Sequence, residues 1–263
     1  VPFANNQGVK IHYEVIGQGP PLVMVHGFTR SLEDWRNFGF VPELKNDYQL
    51  ILIDVRGHGQ SDKPDNLNAY NLKIMAEDVA TIMDELNIEK AHYLGYSMGG
   101  IIGFYGIARY YLPRLNSLIF GGFTAYLDEK GTQARQGIMN LAQSAVEKGM
   151  PILISALEKD FGVKLEQSYY MSLNPRALLS IQKNSLVAFS EGIDDEITSK
   201  INVPCLFYVG ESDSRLKGAK KTSNKISGAR FISFPRLNHW AAGVRSDLVV
   251  PHIKKFLEEV EKN

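Results

Sequence analysis

Two runs of four apolar residues, Leu22-Val23-Met24-Val25 and Leu50-Ile51-Leu52-Ile53, set the first limit on what this chain can fold into. A strand with one wet face alternates apolar and polar residues. An unbroken apolar run instead suits a strand covered on both faces, as in the middle of a parallel sheet. Each run stops at a turn-forming cluster, His26-Gly27 after the first and Asp54-Val55-Arg56-Gly57-His58-Gly59 after the second. Val9 to Ile16 does alternate, with Val9, Ile11, Tyr13 and Val15 opposite Lys10, His12 and Glu14, and reads as a half-buried strand. Ala91 to Leu94, Leu115 to Phe120, Val203 to Val209 and Arg230 to Phe234 read as further strands. Helical patterns lie between them: a short helix within Ser31 to Leu44 with Trp35 and Phe38 inward, one over Leu72 to Leu86, and an amphipathic one over Asp247 to Val260. Strands alternating with helices predict an α/β fold, a mostly parallel twisted sheet of about eight strands with helices on both faces.

One stretch breaks the rhythm. Between Gly122 and Ile201 only helical patterns occur, including Gln133 to Lys148 and a helix opened by Asn174-Pro175 as N-cap and first-turn proline. The expectation is a core of residues 1–122 and 202–263, with a helical cap of residues 123–201 inserted after the sixth strand. Met139, Met150, Ile154, Phe161, Tyr169, Tyr170 and Met171 are the cap residues that could line an apolar acyl site, although such stripes are more often plain core. The cap's charges are nearly balanced in sign, so no strongly ionic substrate is indicated.

Lysine plus arginine and aspartate plus glutamate each total 29, so the formal charge is zero and nothing advertises a nucleic-acid partner. The single cysteine, Cys205, sits in an apolar run and reads as a buried small hydrophobe. Val1 to Asn6 has neither the charged start nor the apolar core of a signal peptide, and no run is long enough to span a membrane. The expectation is a cytoplasmic protein without a membrane partner; its oligomeric state is not legible. The histidines show no H-x-H or H-E-x-x-H spacing, so neither a metal nor another cofactor is expected.

Chemistry is concentrated at Gly95-Tyr96-Ser97-Met98-Gly99, between the strand ending at Leu94 and an apolar helical stretch from Ile101 to Tyr111. A strand that turns sharply into a helix with serine at the apex lifts the hydroxyl clear of the backbone, and the flanking glycines allow the close approach this needs. G-x-S-x-G also arises by chance in ordinary turns, so the motif alone does not decide. Serine needs a base within hydrogen-bond reach, itself oriented by a carboxylate. Of six histidines, His239 lies just beyond the last strand, where a loop can present it over the sheet edge. His26 and His58 sit in tight glycine turns, His12 and His92 in strands and His252 on the last helix, where structural roles are the rule. For the acid, Asp213 follows the strand ending at Val209. Glu211 is its neighbour, and Asp54 has Arg56 beside it as a ready ion-pair partner. Ser97, Asp213 and His239 each follow a strand, and a parallel sheet brings such positions to one edge, where open α/β sheets bind ligands.

These motifs together resemble the α/β-hydrolase fold superfamily over essentially the whole chain. The resemblance rests on the Ser97 turn, on His26-Gly27-Phe28, on the Asp54 to Asp62 stretch typical of capped members, and on Gly210-Glu211-Ser212-Asp213 and Asn238-His239-Trp240 in the order Ser, Asp, His. It implies a Ser97–His239–Asp213 triad and an oxyanion hole from the backbone N–H groups of Phe28 and Met98, each worth on the order of 3 kcal/mol. Serine at the apex, where dehalogenases and epoxide hydrolases of the superfamily carry aspartate, implies an acyl-enzyme. The leading expectation is a carboxylic-ester hydrolase acting on a small, apolar acyl substrate. A lactonase (for example of N-acyl-homoserine lactones), a carbon–carbon bond hydrolase or a perhydrolase would use the same residues, and a non-catalytic small-ligand receptor is the alternative of another class.

Overall fold

The computed structural model describes residues 2–262. Its strands are β1 (Phe3–Asn6), β2 (Val9–Ile16), β3 (Pro21–Val25), β4 (Gln49–Ile53), β5 (Ala91–Tyr96), β6 (Leu115–Gly121), β7 (Cys205–Gly210) and β8 (Arg230–Phe234). They form one sheet in the order β1-β2-β4-β3-β5-β6-β7-β8. β2 pairs antiparallel with both β1 and β4, and the remaining neighbours are parallel. The first strand was not legible in the sequence: four residues, two of them asparagine, carry too short a pattern to separate from a loop.

The helices in chain order are α1 (Glu33–Asn37), α2 (Phe40–Leu44), α3 (Leu72–Glu85), α4 (Met98–Ile101), α5 (Glu129–Lys148), α6 (Met150–Phe161), α7 (Gln167–Ser172), α8 (Pro175–Ser190), α9 (Asp194–Lys200), α10 (Leu216–Lys225), α11 (His239–Val244) and α12 (Ser246–Glu261). α4 continues as a π-helical stretch through Ala108. The helix expected within Ser31 to Leu44 is two, broken where Gly39 turns left-handed at φ 84°. No helix among the described residues is long and apolar enough to cross a membrane.

Both faces of the sheet are covered, which explains the unbroken apolar runs. Val23, Val25, Ile51 and Ile53 point into a core with α3 and the helix after Ser97. Leu22, Met24, Leu50 and Leu52 point the other way, against Trp35, Phe40 and the apolar stripe Val249, Val250, Ile253, Phe256 and Leu257 of α12. Each such fully buried side chain contributes roughly 1.5–3 kcal/mol by leaving water. The five helices α5–α9 all fall between β6 and β7. Asn174 caps α8, accepting from the amides of Arg176 and Ala177.

The strand order also says where a site can form. From β3 the chain crosses to β4 on one side, while β5 lies on the other side of β3 and leads on to β6. The loops leaving the carboxyl ends of β3 and β5 therefore diverge and open a crevice between them.

The expected pairing of Asp54 with Arg56 does not form. Asp54 is a buried hub that takes His12 Nδ1 at 2.7 Å and the amides of Leu32 and Gln60 at 2.8 and 2.9 Å. Arg56 turns away and grips Asp78 of α3 with two N–H groups, with a third on the Ala69 carbonyl. β4 ends at Ile53 and the chain turns at Arg56, which separates the two neighbours. Arg56 and Asp78 are 1% and 3% exposed, so removing one partner strands the other's charge away from water. Arg56→Ala is expected to lower stability by about 3–5 kcal/mol in urea unfolding, and the double apolar replacement Arg56→Met with Asp78→Leu to cost much less.

Candidate active site

Ser97 occupies the apex between β5 and α4 at φ 52° and ψ −102°, a left-handed conformation that costs a non-glycine residue about 1–3 kcal/mol. Surrounding bonds impose it. Ser97 N–H donates to the Gly121 carbonyl at 2.8 Å, and Gly99 N–H donates to the His26 carbonyl at 3.1 Å. The two glycines are steric requirements here: a Cβ on Gly95 would meet Gly99 O at 2.4 Å, and one on Gly99 would meet Val25 O at 2.1 Å.

The three side chains expected to work together do meet. His239 Nε2 lies 2.9 Å from Ser97 Oγ, and His239 Nδ1 lies 2.7 Å from Asp213 Oδ2. With Nδ1–H donating to the carboxylate, Nε2 is left as the acceptor facing the serine hydroxyl. Asp213 is buried, and its Oδ1 accepts from both the backbone and the guanidinium of Arg215 at 3.0 Å. Burial would raise its pKa, but the His239 charge and hydrogen bond, followed by Arg215, hold it well below the usual carboxylate range. For His239 burial dominates and Arg215 adds to it, so the imidazole lies below its ordinary value of 6.5 despite the opposing pull of Asp213. Glu211 does not compete for this role, because it accepts from the Ser233 hydroxyl instead.

The loop after β3 brings Gly27, and with it the following Phe28, close to the serine: a Cβ on Gly27 would stand 3.6 Å from Ser97 Cβ. Two neutral histidines hold this loop. His26 Nε2 accepts from Val55 N–H at 3.0 Å while Nδ1–H donates to the Gly27 carbonyl, and His58 Nε2 accepts from Thr29 N–H at 3.1 Å. Burial pushes both imidazoles down, His58 to about 3. Thr29, a β-branched residue, sits at φ 61° in consequence. Neither the Phe28 nor the Met98 amide donates to a protein acceptor among the described residues, so both stand open beside Ser97.

Ser97 and His239 open on a cavity of about 610 Å³ between the sheet edge and the helices after β6. Among the cap residues expected to line it, only Phe161 does. Met150, Ile154 and Tyr170 pack into a core of their own with Leu153 and Leu173, Met171 is half exposed, and the Tyr169 hydroxyl donates to the Arg30 carbonyl. Ile138, Leu141, Leu153 and Leu157 line the cavity instead. Apolar spacing identified the faces of these helices but not which face meets the core and which meets the cavity.

Sequence reasoning also missed Arg30, Arg215, Tyr96 and Trp240. The Tyr96 ring stacks on His239 with centroids 5.4 Å apart, and its hydroxyl donates to the His239 carbonyl. Arg215 stands two residues after Asp213 in an aspartate-led turn, the one local signal that could have flagged it. Cys205 is 1% exposed and its thiol is pushed up to about 12 by burial, the state of an inert core residue. Among the described residues, no cluster of three or more histidine, cysteine, aspartate or glutamate side chains could hold a metal ion.

The same organisation recurs in known proteins. The profile of the alpha/beta hydrolase fold matches residues 20–122, from β3 to just past β6. A Bacillus subtilis (strain 168) protein, provisionally named 2-succinyl-6-hydroxy-2,4-cyclohexadiene-1-carboxylate synthase, is 27% identical over 95% of this chain and 96% of its own length. The 3-oxoadipate enol-lactonase 1 of Acinetobacter baylyi (strain ATCC 33305 / BD413 / ADP1) is 38% identical over 42% of each chain. A thermophilic esterase from Thermogutta terrifontis superposes with a TM-score of 0.81 at 21% identity, covering 98% of both chains. Together with a parallel sheet whose β5 turns at a strained serine, these similarities show that the chain has the alpha/beta hydrolase fold, with residues 20–122 matching that family's model.

Proposed function

We propose that the protein is a serine hydrolase that cleaves carboxylic esters through an acyl-enzyme. One observation carries this reading: the unbroken hydrogen-bonded line Ser97 Oγ, His239, Asp213, opening on a cavity beside two vacant amides. In the first half-reaction Ser97 Oγ attacks the ester carbonyl carbon while its proton passes to His239 Nε2. Asp213 holds the imidazole through Nδ1–H and balances the positive charge that forms. The Phe28 and Met98 N–H groups receive the oxyanion, and collapse expels the alcohol, which leaves with the proton from Nε2. In the second half-reaction His239 takes a proton from water, the hydroxide attacks the acyl carbon, and Ser97 leaves reprotonated as the acid departs. Residues 123–201 act in this reading as a cap over the core of residues 1–122 and 202–263, shaping the acyl site and limiting water. The setting is read as the cytoplasm, where a lone buried thiol needs no oxidising partner.

Lactone opening is the second reading, favoured by the enol-lactonase relative at 38% identity. A lactone is an internal ester, so each step is the same and only the tethered leaving group differs.

Ser97→Ala is expected to abolish labelling by a fluorophosphonate probe and to lower kcat/KM for p-nitrophenyl acetate by ~10⁴-fold or more. Turnover within a few-fold of the parent protein would remove Ser97 from the chemistry. The base must be neutral to act, and burial with Arg215 holds His239 below 6.5. The acid limb of kcat/KM is therefore expected below pH 6.5, with activity falling as pH drops through it. Arg215→Gln should shift that limb upward, because it removes a positive charge that opposes protonation of His239.

A further inference from the structure

The cavity has two unlike walls. The wall from α5 and α6 is apolar, formed by Ile138, Leu141, Leu153, Leu157 and Phe161. The wall from the core loops carries two cations, Arg30 after β3 and Arg215 after β7. Counting charge in the cap alone gave no hint of an ionic substrate, because neither cation belongs to it.

The Arg30 guanidinium is stacked 3.8 Å from the Trp240 ring centroid and 4.7 Å from that of Phe38. Its side chain is 11% exposed. The Trp240 and Phe38 rings are themselves edge-to-face, so stacking takes one face of the planar fork and N–H groups on the side away from Phe38 remain for a carboxylate. Of the guanidinium N–H donors, only Nη1 has a protein acceptor among the described residues, Asp34 Oδ1 at 3.5 Å, the outer limit of a hydrogen bond. Arg215 gives one guanidinium N–H to Asp213, a carboxylate already committed to His239. Behind it lies Arg135, buried against the Phe189 ring at 4.0 Å, with no carboxylate partner among the described residues. The carboxylates set against these cations are Asp213, Asp34 and Asp160, the last exposed at the end of α6. Largely buried cations whose unfilled donors reach only the cavity gain when an anion meets them there.

We propose that this site takes esters or lactones bearing a free carboxylate away from the scissile carbonyl, and that Arg30, reinforced by the field of Arg215, holds that carboxylate. The proposal rests on the serine-hydrolase reading for the scissile bond, but the carboxylate site itself is a matter of binding. It has a consequence for the chemistry as well. His239 lies in the field of both arginines, and a bound anion offsets that field as the imidazole takes up the Ser97 proton.

The test is calorimetric titration of Ser97→Ala, which cannot turn over, with monomethyl adipate and with dimethyl adipate. The two differ by one methyl group that removes the charge. Monomethyl adipate is expected to bind at least about tenfold more tightly, and added salt should narrow the gap. Arg30→Gln in the Ser97→Ala background should erase the preference, and Arg30→Lys, which keeps the charge without the planar fork, should retain part of it. Equal binding, tighter binding of the diester, binding of neither, or a preference unchanged in Arg30→Gln would each overturn the proposal. If Arg30→Gln fails to fold, the comparison of the two esters and its salt dependence decide by themselves. Turnover of p-nitrophenyl acetate by the parent protein tests the other reading separately: a protein inert towards it that still prefers the monoester keeps the carboxylate site and loses the esterase chemistry.

Discussion

The close approach of Gly99 to the end of β3 is the contact on which the rest of the site depends. With its amide on the His26 carbonyl and no side chain to hold it off Val25, the start of α4 is pulled against the neighbouring strand. Ser97, bonded through its own amide to Gly121 at the end of β6, is then over-determined from both sides and has no relaxed backbone conformation available. Strain of this kind persists only where the surroundings fix it. Here three adjacent parallel strands do so at once. The sheet therefore acts as the jig for the serine, rather than the serine being displayed on a loop that could move.

The same logic extends to the loop opposite. In the proposed reading Phe28 presents its amide from the turn after β3, which is short and strained at Thr29. Two imidazoles, both kept neutral by burial, accept the amides of Val55 and Thr29 and bind the turn to the segment after β4. That segment is in turn fixed by Asp54, which collects His12 and two backbone amides. Asp54, Arg56, His58 and Ser61 of the polar stretch after β4 are thus a buried scaffold, and their polarity reflects hydrogen bonds owed to neighbouring groups rather than contact with water.

What could be read in the sequence follows from the range of each interaction. Buried strands announce themselves by composition over four or five residues; Ser97 and Asp213 each follow one, and His239 follows the alternating edge strand β8, so their convergence was legible. β1 was too short and polar to register. Asp54 and Arg56 illustrate the opposite limit: two residues apart, they looked like natural partners, yet the turn at Arg56 sent its guanidinium to Asp78, twenty-two positions away. The cavity wall was the least legible part. Each helix between β6 and β7 has a clear apolar face, but Met150, Ile154 and Tyr170 go to a core within those helices while Ile138 and Leu157 face the cavity. That choice depends on how the helices pack on each other, which one-dimensional spacing does not encode.

Charge in the site is arranged against the resting state. Asp213 alone would favour a protonated His239, and an imidazolium cannot take the serine's proton. Burial and the guanidiniums of Arg215 and Arg30 oppose that carboxylate and keep the imidazole neutral. The Tyr96 ring beneath His239 adds bulk without charge and fixes the plane in which Nε2 faces Ser97. The fold thus gathers strain at Ser97, a desolvated carboxylate at Asp213 and partly unfilled cations around one cavity. None of these helps the chain fold, and each is offset by packing on the two covered faces of the sheet. On the proposed reading, such a site gains most when a substrate supplies what it lacks: an electrophilic carbonyl for the serine, an oxyanion for the two amides and, at the cationic wall, a negative charge.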